Sequence, residues 1–84
     1  MEIVQIIIKN LNNDEIASLR DYFTSNEDPE LAKIQFKRAS GNTIEHRVIY
    51  NPVVFEIERG GWEKISCKVE EYLKKKRFDY GLSI

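Results

Sequence analysis

Thr43-Ile44-Glu45-His46-Arg47-Val48-Ile49-Tyr50-Asn51-Pro52-Val53-Val54-Phe55-Glu56-Ile57-Glu58-Arg59 is the stretch whose strand count sets the architecture of this chain. Over residues 43–50, Ile44, His46, Val48 and Tyr50 alternate against Thr43, Glu45, Arg47 and Ile49, the period-2 pattern of a strand. Val53, Phe55 and Ile57 resume the alternation against Val54, Glu56 and Glu58. Between them stands Asn51-Pro52. Proline offers no N–H to a ladder and cannot take the positive φ of a tight type I′ turn. The pair therefore marks either a bulge in one long bent strand or a turn slightly longer than two residues.

Upstream, Ser40-Gly41-Asn42 reads as the hairpin loop leading into this run. Before it, Ala32, Ile34 and Phe36 alternate with Lys33, Gln35 and Lys37, which favours a strand over residues 31–38. Asp28-Pro29-Glu30 is also a good helix start, so a helix there stays open. Further back, Ile3-Val4-Gln5-Ile6-Ile7-Ile8 is a β-branched run that reads as a central strand. Asn12, with Glu15 three residues on, fits an N-cap and capping box. The helix it opens places Ile16, Leu19, Tyr22 and Phe23 on one stripe and runs to about Phe23, with a polar loop over 24–29.

Downstream, Gly60-Gly61 is expected to end the strand, and residues 62–77 to form a second amphipathic helix. Trp62, Ile65, Val69, Tyr72 and Leu73 supply its apolar face. Phe78, Tyr80, Leu82 and Ile84 then alternate with polar residues or glycine, as in a closing strand. The order is βαββ(β)αβ. It predicts a single α+β domain over residues 1–84, a two-layer sandwich with two helices on one face of a mainly antiparallel sheet. A ferredoxin-like topology satisfies this most simply.

Composition narrows the class. Hydrophobic residues are 42% and charged residues 32% of the 84, the balance of a folded globular chain. A lone cysteine, Cys67, excludes an internal disulfide framework. Residues 3–8 are too short an apolar run for a secretion signal or a membrane span. The expectation is a cytoplasmic protein of prokaryotic or viral type, with no membrane partner. Net charge is −1, unevenly spread: residues 1–30 carry seven acids against two bases, and residues 31–84 eleven bases against seven acids.

Catalytic constellations are missing from the pattern. His46, in phase with Ile44 and Val48, is expected to pack on a strand, and Cys67 to face solvent on the far side of its helix. Glu56 with Glu58, and Glu70 with Glu71, read as solvated faces with lysines nearby. No His/Cys spacing suits zinc, no loop suits calcium and no phosphate-binding loop of the Walker type occurs. No enzyme, metal or cofactor is expected; a small enzyme of unknown reaction is the last of the alternatives.

Two surfaces remain as binding candidates. The sheet face away from the helices should carry Ile3, Gln5, Ile7, Gln35, Glu45 and Ile49, with positive charge from Lys33, Lys37 and Arg47. Of these, Ile3, Gln5, Ile7, Arg47 and Ile49 are the candidate protein-binding residues. They point to a small interaction domain of inhibitor, immunity, antitoxin or adaptor type, whose partner is another protein or a second copy of itself. The alternative is nucleic-acid or phosphate-ligand binding. It would use Gly60 and Gly61 at a helix start together with Lys68, Lys74, Lys75, Lys76 and Arg77. The outer face has no aromatic platform, which weighs against base stacking by a single-stranded RNA.

Overall fold

A computed structural model describes residues 2–25 and 27–84. Met1 lies outside the described residues, as does Asn26 in the expected polar loop. The isoleucine-rich run forms strand β1 (Ile3–Lys9), with Val4, Ile6 and Ile8 buried on one side. Helix α1 (Asn13–Ser25) follows, entered through the capping box of Asn12 and Glu15 and buried through Ile16, Leu19 and Phe23. A short 3-10 turn, Leu31–Lys33, brings Leu31 and Ile34 into the core. Both readings of residues 31–38 thus hold over part of their length: a helical turn first, then strand β2 (Gln35–Ile44).

The hairpin departs from expectation. Its turn is Glu45-His46, between β2 and strand β3 (Arg47–Glu58), and not Ser40-Gly41-Asn42, which lies within β2. Both turn residues have positive φ, 50° and 68°, the backbone sign of a type I′ turn, which asparagine and glycine signal far more clearly than glutamate and histidine. Gly41 instead makes room for an aromatic ring, since a Cβ there would lie 3.0 Å from Tyr50. Residues 53–59 are accordingly no extra strand. Asn51-Pro52, whose peptide is cis, stays inside one continuous β3. Register shifts fall between Phe36 and Arg38 and between Ala39 and Gly41. At about 3.3 Å per residue, the 12 residues of β3 span about 40 Å. That length matches the 41 Å long axis of the molecule.

Helix α2 (Arg59–Lys75) begins three residues earlier than expected, so Gly60 and Gly61 form its first turn. The Arg59 N–H donates to the Glu2 carbonyl at 3.0 Å, which anchors that turn to the start of β1. Gly61 packs closely on Ile57: a Cβ there would meet Ile57 Cδ1 at 3.1 Å, so that side chain would have to give way. Trp62, Ile65, Val69 and Leu73 line the buried stripe. Strand β4 (Asp79–Ser83) completes the sheet, whose order is β2-β3-β1-β4 with every neighbouring pair antiparallel. The fold is α+β, a four-stranded antiparallel sheet with two helices.

One side of the sheet meets the helices. Val4, Ile6, Ile8, Val53, Phe55 and Ile57 share a single cluster with the apolar stripes of α1 and α2. Phe55 sits at its centre, edge-on to Phe23 at 5.2 Å and to Phe36 at 5.6 Å, with the Arg20 guanidinium 5.1 Å from the Phe36 ring centroid. No helix in the described residues is long and apolar enough to cross a membrane.

Candidate functional site

The sheet's second side is built by the alternate residues of the same strands. Cross-strand neighbours share a face, so the pairs Ile3–Glu58, Gln5–Glu56 and Ile7–Val54 put Ile3, Gln5 and Ile7 opposite the helical layer. Gln35 and Arg38, paired with Glu56 and Val54, extend that face onto β2. Val54 is only 1% exposed although it belongs to no part of the helix-side cluster. Ile7 beside it is half-buried, and Ile3 is 38% exposed. The apolar centre is crossed by a polar chain. Gln5 Nε2 donates to Glu56 Oε2 at 2.8 Å, and Lys37 Nζ stands 3.7 Å from Glu56 Oε1. Gln5 is thus a fixed hydrogen-bonding group, not a free one.

Arg47 and Ile49 lie farther along the hairpin, which continues as a two-stranded arm with its tip exposed. Tyr50 packs on the core and bonds Leu11 reciprocally through the backbone. Ile49 and its partner Asn42 therefore point the other way, as do Arg47 and Ile44. Ile44, at 60% exposure, is the most exposed large apolar side chain of the arm. The five candidate protein-binding residues thus fall into two groups, three on β1 and two on the arm. Glu45, expected on this face, sits in the turn. The sequence pattern misses Val54 and Glu56 as members of the face, whereas Lys37 stands on the side expected of it. The Val53-Val54 doublet is the available sign that β3 is apolar on both sides.

The phosphate reading of Gly60 and Gly61 meets a local obstacle. Beside them is a groove of about 600 Å³ whose walls include Glu30, Glu56 and Glu58 along with Lys33 and Lys64. Glu30 Oε1 pairs with Lys33 at 3.0 Å and lies 3.9 Å from Lys64. Its Oε2 is buried, with no hydrogen-bond partner among the described residues, 3.5 Å from where a Gly61 Cβ would stand. A carboxylate of the chain itself therefore lies against the positive end of α2.

The basic residues of α2 are likewise engaged in part. Lys68 Nζ bonds Asp28 Oδ2 at 3.0 Å; this bond, then the Glu30 backbone N–H, holds the Asp28 carboxyl below its ordinary range. Lys76 Nζ lies 5.8 Å from the Tyr72 ring centroid, and Tyr72 stacks on Tyr22 at 3.9 Å. Lys74 and Lys75 are exposed in the last turn, where cations suit the helix dipole. Arg77, at φ 60°, occupies the left-handed position that ends the helix. Its N–H bonds the Lys74 carbonyl, and the Phe78 N–H bonds that of Leu73, the Schellman pattern.

His46 is exposed in the hairpin turn and not packed in strand phase with Ile44 and Val48. Cys67 is exposed on α2. Neither lines the groove beside Gly60 and Gly61. The described residues hold no group of three or more His, Cys, Asp or Glu placed to bind a metal ion.

Comparison with protein-family models, with curated proteins and with solved structures finds no match to this chain.

Proposed function

We propose that this chain is a small, non-enzymatic protein-interaction domain that binds through the sheet face opposite its helices and through the hairpin arm. The same reading takes the sheet order as ferredoxin-like, since β3 separates β1 from β2 and β1 separates β3 from β4. The observation that carries it is the apolar strip of that face, exposed Ile3 and half-buried Ile7 beside the buried Val54, flanked by Arg38 and the Gln5–Glu56–Lys37 chain. The described helices pack only on the other side. An apolar centre with a polar rim is the anatomy of a binding patch. Ile49 and Arg47 extend it with an aliphatic and a guanidinium side chain on a projecting ribbon.

The test is affinity capture from the native host with wild-type protein and three face variants: Ile3→Glu, Ile7→Lys and Ile49→Glu. The expected result is a discrete captured protein that all three lose while their circular dichroism stays native. A captured protein kept by every face variant but lost with Lys74→Glu and Lys75→Glu would overturn the assignment and move binding to the basic end of α2.

A further inference from the structure

We propose that two copies of this chain join edge to edge through β4, antiparallel about a two-fold axis at Gly81, to make one continuous sheet. This rests on the edge of the sheet and not on its outer face, so it is independent of the function proposed above.

The sheet has two edges, and they differ. β2 carries a bulge at Lys37, a second register shift where Ser40 lies opposite Asn51-Pro52, and the adjacent cations of Lys37 and Arg38. Bulges and basic side chains are the devices by which edge strands discourage addition of another strand. β4 has neither. Its five residues pair with β1 in unbroken register, and Asp79 is its one charge. Its outer backbone groups face no strand among the described residues.

The strand is also complementary to itself in one register. Pairing about Gly81 sets Tyr80 against the second copy's Leu82 and Asp79 against the second copy's Ser83. Tyr80 and Leu82 oppose Ile8 and Ile6 of β1, so both belong to the helix side. Leu82 is 42% exposed there, and the second copy's half-buried Tyr80 would cover it. On the other side, a serine hydroxyl can donate to the lone carboxylate. No like charges meet. At the axis Gly81 faces itself, and a Cβ at Gly81 meets nothing within 4 Å in the single chain.

Sedimentation from micromolar to millimolar protein tests this, with charge variants at exposed positions. Wild type is expected to reach twice the 9.9 kDa chain mass. Ser83→Asp, which sets carboxylates opposite each other twice per dimer, should weaken association about tenfold. Asp79→Lys combined with Ser83→Asp should restore it. In a Cys67→Ser background, Gly81→Cys should oxidise to a covalent dimer. Directly opposed residues of an antiparallel pair have Cα atoms about 4.5–5.5 Å apart, within disulfide reach. A single-chain mass at every concentration would overturn the proposal. So would a dimer indifferent to both charge variants and unlinked by the introduced thiols.

Discussion

Asn12 and Glu15 hold one another across the first turn of α1: the Asn12 N–H donates to Glu15 Oε1 at 3.0 Å, and the Glu15 N–H donates to Asn12 Oδ1 at 2.8 Å. Two backbone donors with no partner inside the helix are satisfied at once. Asn12→Ala should therefore lower the unfolding free energy by about 1 kcal/mol, a fall of about 4–8 °C in Tm for a domain of this size. Asn12→Asp keeps the acceptor and should stay near wild type. Thermal melts of the two variants side by side check the pair, and equal losses would show that the cap contributes nothing.

Phe55 is the residue the core can least lose. It lies on β3 between Phe23 of α1 and Phe36 of β2, with Ile6 directly across the ladder. Truncating a buried phenylalanine costs about 3–5 kcal/mol, and the whole margin of a small domain is on the order of 5 kcal/mol. Phe55→Ala should leave a large unfolded population at 25 °C, seen as collapsed amide dispersion in an HSQC spectrum. Phe55→Leu, which keeps most of the volume, should fold with a lowered denaturant midpoint.

The parts of the fold legible in the sequence are those where one local signal agrees with burial. The Asn12–Glu15 spacing locates a helix start, and the Trp62–Leu73 stripe locates the buried face of α2. The hairpin is hidden because its signals disagree. Gly41 looks like a turn residue but serves the Tyr50 ring, whereas the real turn uses Glu45 and His46, two residues with no turn signature. The start of α2 is obscured for a like reason: Gly61 yields space to Ile57, a contact between neighbouring elements that chain order does not advertise. On the outer face, Ile3, Gln5 and Ile7 follow from alternation in β1. Arg47 and Ile49 reach the expected side through the irregularity at Asn51-Pro52, which turns Tyr50 inward. The Gln5–Glu56 bond, between residues 51 apart in sequence, is a product of strand order.

Asp28 and Lys68 tie the loop after α1 to α2, and their pairing sets an acid limit. The hydrogen bond from Lys68 first, then that from the Glu30 N–H, lowers the folded-state pKa of Asp28 below its usual 3.8. A group depressed in the folded state stabilises the protein above its unfolded pKa, and that contribution fades as pH falls through the lower folded value. Lys68→Met should thus lower the urea midpoint at pH 6, and the gap from wild type should narrow below pH about 4. A gap that stays constant down to pH 2 would show that the pairing with Asp28 is not its source.

His46 and Arg77 take backbone angles that suit glycine better, φ 68° and 60°, while no glycine in the described chain has positive φ. A left-handed conformation costs a residue with a Cβ about 1 kcal/mol more than it costs glycine. His46→Gly should raise the unfolding free energy by about 0.5–1 kcal/mol, as should Arg77→Gly at the Schellman position. These gains would come in spite of the extra chain entropy that glycine adds to the unfolded state. Gly60 supplies the opposite control. It sits in a helical turn, and a Cβ there meets nothing within 4 Å. Gly60→Ala should therefore stabilise by about 0.4–1 kcal/mol through the unfolded chain alone. Guanidinium titrations of the three variants separate the two causes. A loss of stability in both His46→Gly and Arg77→Gly would show that these side chains hold their turns by contacts stronger than the backbone cost.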